Sequence, residues 1–318
     1  MGQSFSINRI FPDIKRVLTK YFPQYKIIKL LNNGMLSKTL LILKDKDPNP
    51  LIMKCFLKHD YKDIDRKNHK KEVEKLIGVQ NIINSSKNYN ISPILAIEDD
   101  YRLGMIFRQY IKFNLKERIY LLPYFTYVEK VWITFQLLVA LNHIYQLDLV
   151  HGDLKPENIL LTSNLSIFIS DFATYKPAYI PAVNTNYTYY FGSNNSADIS
   201  GCYLAPERLV EKEEIEGKEN IKNIKMDIFS LGVIIAELFL EQDLFNFTSL
   251  LNYKKGNKEV FNIDEVLIKI ENEKIRELIY KMIKINPGER INISDALTFF
   301  VKEICPITIT GFIFNLMQ

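Results

Sequence analysis

Residues 151–158 read HGDLKPEN and residues 171–173 read DFA. Asp153, Lys155, Asn158 and Asp171 follow at fixed steps: Lys155 two residues after Asp153, Asn158 five after it, and Asp171 thirteen beyond Asn158. Phosphoryl transfer asks for a carboxylate that orients the attacking hydroxyl, a lysine on the phosphates and oxygen ligands for magnesium. A chain that brings these four side chains to one place must build a fold around that loop. The fold is therefore the first thing the spacing constrains.

Bulk properties narrow the class. The chain has 318 residues, 47% of them apolar and 25% charged, enough for one large domain or two smaller ones with a substantial core. A net charge of +4 is mild, and no nucleic-acid partner is expected, since that would ask for a concentrated basic face. Cys55, Cys202 and Cys305 are odd in number and far apart, which fits a reducing compartment better than a disulfide framework or a zinc site. The two most apolar stretches are interrupted by Gln136, His143, Asp148 and Glu237 and read as core helices, not membrane spans. Residues 3–20 lack the apolar core of a secretory signal.

Along the chain, residues 26–57 alternate short apolar runs with Asn-Asn-Gly and Asp-Pro-Asn-Pro, which predicts strands and turns. Residues 65–84 suit a charged helix, and two further strands are expected over 91–107 around Glu98, Asp99 and Asp100. Helical patterns follow at 128–147, 227–241, 264–285 and 293–303. The Asn, Tyr and Ser-rich stretch 179–203 is polar enough to predict a long surface loop. No internal repeat is seen.

This order of motifs resembles the protein kinases, which carry H-R-D-L-x-x-x-N and D-F-G at the same places. The resemblance implies an α+β fold of two lobes: a membrane-contact segment over 1–24, a small β-rich lobe and hinge over 25–110, and a larger helical lobe over 111–318. Asp153 takes the place of the catalytic base and Lys155 that of the γ-phosphate lysine, with Asn158 and Asp171 as magnesium ligands. Lys54 in LIMKCF matches the phosphate-pairing lysine, with Glu72 as its ion-pair partner and Glu74 as the alternative. Arg108, Gln109 and Tyr110 form the segment expected to meet the base of the nucleotide in a cleft between the lobes. Ala205-Pro206-Glu207 matches A-P-E, with Arg290 as the partner of Glu207, and Asp227 matches the aspartate that braces the catalytic loop.

Three departures stand out. The loop LLNNGMLSKT keeps Gly34 at the second glycine position of G-x-G-x-x-G, but Asn32 and Ser37 replace the others, which predicts a weaker lid over the phosphates. Gly152 replaces the arginine that grips an activation-loop phosphate. Ala173 replaces the glycine that lets the magnesium-binding aspartate swing, so that segment is expected to hold one state.

The combination HGDLKPEN, DFATYKP, MIFRQYIKFNL and CYLAPER, with an opening MGQSFS, is similar to one family over about residues 25–310. It resembles the kinase-like domain of the regulatory subunit of the class III phosphatidylinositol 3-kinase complex. The resemblance implies a serine/threonine protein kinase of weak or specialised activity. It further implies binding of the catalytic lipid kinase subunit and attachment to endosomal, vacuolar or autophagic membranes, in support of sorting and autophagy. Mg2+ and ATP are the implied cofactors, with GTP as the alternative nucleotide. A scaffold that binds nucleotide without phosphoryl transfer is the competing reading, favoured by the degraded lid, Gly152 and Ala173. In that family helical repeats and a propeller follow the kinase-like domain.

MGQSFS also matches M-G-x-x-x-[ST], with Gly2 as the myristoylation site. One such chain gives marginal binding, so a second contact is expected. Residues 12–21 offer a helix with Lys15, Arg16 and Lys20 as cationic contacts; the same helix could instead pack on the small lobe.

Overall fold

The computed structural model describes residues 22–33, 38–57, 90–99, 103–173, 176–191, 201–215 and 223–305. Gly2, the 12–21 segment, Gly34, Glu72 and the helix expected over 65–84 lie outside these residues. The chain divides into two compact units. Among the described residues one unit holds most of 22–111, and the other holds 90–91, 112–191 and everything from 201 on.

The first unit is an antiparallel five-stranded sheet, with β1 (Tyr25–Asn33), β2 (Lys38–Lys44), β3 (Pro50–Leu57), β4 (Ile94–Asp99) and β5 (Leu103–Gln109) in the order β1-β2-β3-β5-β4. Leu40 and Ile42 of β2 cluster with Met53 and Cys55 of β3 and with Met105 and Phe107 of β5. Successive side chains of a strand face opposite ways. Lys54, between Met53 and Cys55, therefore stands on the other face, opposite Thr39 of β2 and Ile106 of β5. The expected Asp-Pro-Asn-Pro turn is present: Asp47 Oδ1 accepts from the backbone N–H and side-chain amide of Asn49, at 2.9 and 3.0 Å.

The second unit opens with β6 (Phe113–Asn114), α1 (Leu115–Ile119) and α2 (Tyr127–Gln146). Thr126 and Glu129 form a reciprocal capping box at the start of α2. Val131 to Leu141 are buried almost throughout, save Trp132, so α2 is the core helix its composition predicts. No helix among the described residues is long and apolar enough to cross a membrane. The hairpin of β7 (Ile159–Leu161) and β8 (Ile167–Ile169) pairs with β6 into a three-stranded sheet. Next come β9 (Ile180–Pro181), α3 (Asn184–Phe191) and β10 (Leu209–Val210), with β9 and β10 paired in parallel. The rest is helical: α4 (Ile224–Leu240), α5 (Phe247–Lys255), α6 (Ile263–Leu267), α7 (Glu273–Met282) and α8 (Ile293–Glu303). Here α7 packs on α4, and α8 on α2.

Two expectations are corrected. The single helix over 264–285 is two, because Asn272 accepts from the N–H groups of Lys274 and Ile275 and so starts a new helix at Glu273. The stretch 179–203 is not wholly surface loop. Tyr187 and Phe191 stand one turn apart on one face of α3 and are both buried, which the polar average of the segment conceals.

Candidate active site

The β7–β8 hairpin sets the ends of the catalytic loop. Ser170 donates its N–H and Oγ–H to the Asn158 carbonyl at 2.8 and 3.0 Å, holding the residue before Asp171 against the end of the loop. Asn158 donates Nδ2 to the carbonyl of Asp153 at 2.8 Å and to its Oδ2 at 3.2 Å. That fixes the amide orientation and leaves Oδ1 as the hard oxygen donor of Asn158. Asp171 adds a carboxylate from a backbone with φ 64°, the left-handed region that aspartate tolerates at a cost. An amide oxygen and a carboxylate suit magnesium, which takes few protein ligands besides phosphate oxygens and water.

Beneath the loop, Asp227 from the first turn of α4 accepts from the N–H groups of His151, at 2.6 Å, and Gly152, at 3.0 Å. It is the brace expected from the sequence. His151 is fully buried; its Nδ1 accepts from the Asp153 N–H at 3.2 Å, so Nε2 carries the proton and faces the Ser170 carbonyl at 2.8 Å. Burial pushes the imidazole pKa down, consistent with this neutral form. Arg290 forks onto Glu207 at 2.6 and 2.7 Å, as the sequence predicts, and further binds the carbonyls of Lys284, Lys225 and Ile285.

Asp153 itself carries opposing influences. Burial would raise its carboxyl pKa, but the ammonium groups of Lys155 and Lys176 outweigh this and hold it at about 2. Lys176 is the closer, its Nζ 2.7 Å from Asp153 Oδ2 against 3.9 Å for Lys155. Lys155 also donates to the Phe191 carbonyl at 3.3 Å. Over this loop lies α3: Asp153, Lys155, Tyr187, Phe191, Tyr203 and Arg208 are among the residues lining a cavity of only about 10 Å³. That is about the room one water needs.

The expected residues Asp153, Lys155, Asn158 and Asp171 are thus close in the second unit. Lys54, Arg108, Gln109 and Tyr110 belong to the first: Arg108 pairs with Ile52 and Ile94 across the sheet, Gln109 with Leu51, and Tyr110 donates its N–H to the Pro50 carbonyl at 3.3 Å. Ala173 is buried and gives its N–H to the His151 carbonyl at 2.9 Å, tying it to the catalytic loop.

Two residues of this region escape motif reading. Lys176 enters as the ion-pair partner of Asp153. Arg208, the residue after Glu207, is 2% exposed and sends its guanidinium back into the loop. The only sequence sign of either is a cation beside a recognised motif.

Comparison with known proteins agrees with this geometry. The chain is 33% identical over 295 residues to a non-specific serine/threonine protein kinase of Candida glabrata, covering 91% of this chain and 20% of that protein. It is 34% identical to serine/threonine-protein kinase VPS15 of Arabidopsis thaliana, covering 76% of this chain and 16% of that protein. For VPS15 of Saccharomyces cerevisiae the identity is 37%, with 67% and 15% covered. The chain spans about a fifth or less of the length of these curated relatives. Among solved structures, Rad53 1–466 in complex with AMP-PNP has a TM-score of 0.61 at 15% identity, covering 88% of this chain and 66% of that one, a likeness of fold. The family model for the protein kinase domain matches residues 25–300, and the chain belongs to the protein kinase family.

Proposed function

We propose that this chain is the kinase domain of a VPS15-type regulatory subunit of a class III phosphatidylinositol 3-kinase complex. It acts as a serine/threonine protein kinase that binds ATP with Mg2+. The observation that carries this is the catalytic loop in which Asn158 closes on Asp153, in a chain 34–37% identical to VPS15 proteins of three organisms. Asp153 would accept the proton of the attacking hydroxyl, while Lys155 and Lys54 orient the phosphates. Asn158 Oδ1 and the Asp171 carboxylate would hold the metal, which neutralises charge on the transferred phosphoryl group when bound. The catalytic lipid kinase is the proposed partner. Gly2 would carry a myristoyl group that, with the partner, keeps the protein on endosomal or autophagic membranes in sorting and autophagy.

A second reading, a nucleotide-binding scaffold without turnover, is favoured by one observation: Asp153 and Lys155 are engaged by Lys176 and by the Phe191 carbonyl. One experiment addresses both. Melting temperature is measured with millimolar magnesium ATP or GTP, for the parent and Lys54→Ala, alongside phosphate transfer to a Ser/Thr peptide mixture. A shift lost in Lys54→Ala with transfer supports the kinase; the same shift without transfer supports the scaffold. No shift with either nucleotide refutes both.

A further inference from the structure

The activation segment starts at Asp171 and ends at Glu207, and phosphorylation would have no arginine at position 152 to meet it. Something else nevertheless ties the segment down. Arg208 donates Nη1 to the Gly152 carbonyl, Nε to the Ala178 carbonyl and Nη2 to the Pro177 carbonyl, each at 2.9 Å. Its guanidinium carbon also lies 4.6 Å from the centroid of the Phe191 ring of α3. One side chain thus joins the catalytic loop, the early part of the activation segment, the end of α3 and the terminal Pro-Glu motif.

The neighbouring geometry is built to admit it. Gly152 has φ 76°, a conformation a side chain rarely adopts, and its carbonyl is the acceptor for Nη1. The Gly152 and His151 N–H groups are taken by Asp227 on the other side of the loop. Lys176 adds a second tie through Asp153 and sits 4.8 Å from the same Phe191 ring. The three carbonyls are met by three different nitrogens of a rigid planar fork, a spread that the single nitrogen of a lysine ammonium does not offer.

We infer that Arg208 is a positioning residue that replaces a phosphate clamp, holding the activation segment against the catalytic loop in the unphosphorylated chain. The 176–191 stretch is then ordered by the fold itself and not by a modification. This concerns the regulation of the proposed kinase site and rests on that reading for its bearing on phosphate transfer. The ordering is testable whether or not the chain transfers phosphate.

The test is amide hydrogen exchange on the full chain, comparing the parent, the phosphatase-treated parent and Arg208→Lys. Arg208→Lys keeps the charge and most of the stem but loses the fork. Its exchange should rise on the order of tenfold over 176–191 and at Ala173, while 226–240 of α4 keeps the parent rate. Phosphatase treatment should change neither region. Exchange that is unchanged in Arg208→Lys, or that rises equally in α4, would overturn the assignment. So would loss of protection over 176–191 on dephosphorylation. If Arg208→Lys does not fold, Arg208→Gln is read by the same exchange outcomes, and loss of protection over 176–191 on dephosphorylation of the parent still overturns the inference.

Discussion

Lys176 Nζ lies 2.7 Å from Asp153 Oδ2, and both side chains are about nine-tenths buried. An ammonium this close keeps a desolvated carboxylate ionised, which burial alone would oppose. Lys176→Met removes the nearer of its two cations. Breaking a buried pair by removing one partner costs about 3 kcal/mol or more, because the other charge is left behind. The sign follows from linkage: the parent carboxyl is depressed to about 2, so its contribution is present above the unfolded value and lost as pH falls through about 2. In Lys176→Met the carboxyl rises. The stability gap should therefore be constant near neutral pH, begin to narrow as pH falls below the variant's raised pKa, and go on narrowing toward pH 2. Urea unfolding at a series of pH values would measure it; a gap independent of pH would refute the pairing.

His151 predicts a slope in a different range. Burial lowers its folded pKa below the ordinary 6.5, so the unfolded chain takes up the proton first as pH falls. Its contribution is complete above about pH 6.5 and is lost below it. Unfolding free energy of the parent should fall between pH 7 and pH 5. His151→Gln should be less stable at pH 7, having lost bonds to Asp153 and Ser170, yet flatter over that range. Half-buried His143, also lowered by burial, keeps part of the slope in both proteins.

Arg290→Ala should be among the more damaging single changes. It leaves Glu207 without its forked partner and strips donors from the carbonyls of Lys284, Lys225 and Ile285. A loss of about 3–5 kcal/mol is expected from chemical denaturation. Arg290→Lys should recover only a minor share, since one ammonium cannot satisfy both carboxylate oxygens and three carbonyls.

Gly232→Ala tests the packing of α4 on the end of α7. A Cβ there would stand 2.8 Å from both Ile283 Cγ2 and Met282 Cβ, too close for ordinary contact. The helix propensity gained is under about 1 kcal/mol, and overpacking costs about 1–3 kcal/mol. The variant should be less stable by thermal melting, although Ala is the better helix former.

The catalytic loop was legible because its chemistry forces residue type and spacing together: Asp153, Asn158, Asp171, Asp227 and the Glu207–Arg290 pair each answer to a motif. The sheet was legible because β2 and β3 alternate around sharp turns such as the one capped by Asp47. What escaped was decided by tertiary partners. Tyr187 and Phe191 make a buried helical face inside a polar stretch, and polarity averaged over the stretch hides two residues one turn apart. Asn272 splits a continuous apolar period, because a cap is a single side chain against a pattern of twenty residues. Arg208 carries no sign of burial in the sequence, since nothing in APER says which carbonyls the guanidinium will find.

The left-handed backbone at Gly152 also bears on which substitutions remain open to this chain. Restoring an arginine there would cost about 1–2 kcal/mol in backbone strain alone. The backbone there is already committed, its carbonyl to Arg208 and its N–H to Asp227. Removing Arg208 first would release two buried carbonyls and one part-buried one before any replacement existed. Neither single step leads back to a phosphate-gated loop without passing through a less stable protein. The two positions are therefore coupled through the Gly152 carbonyl, and a change at either one alone costs stability.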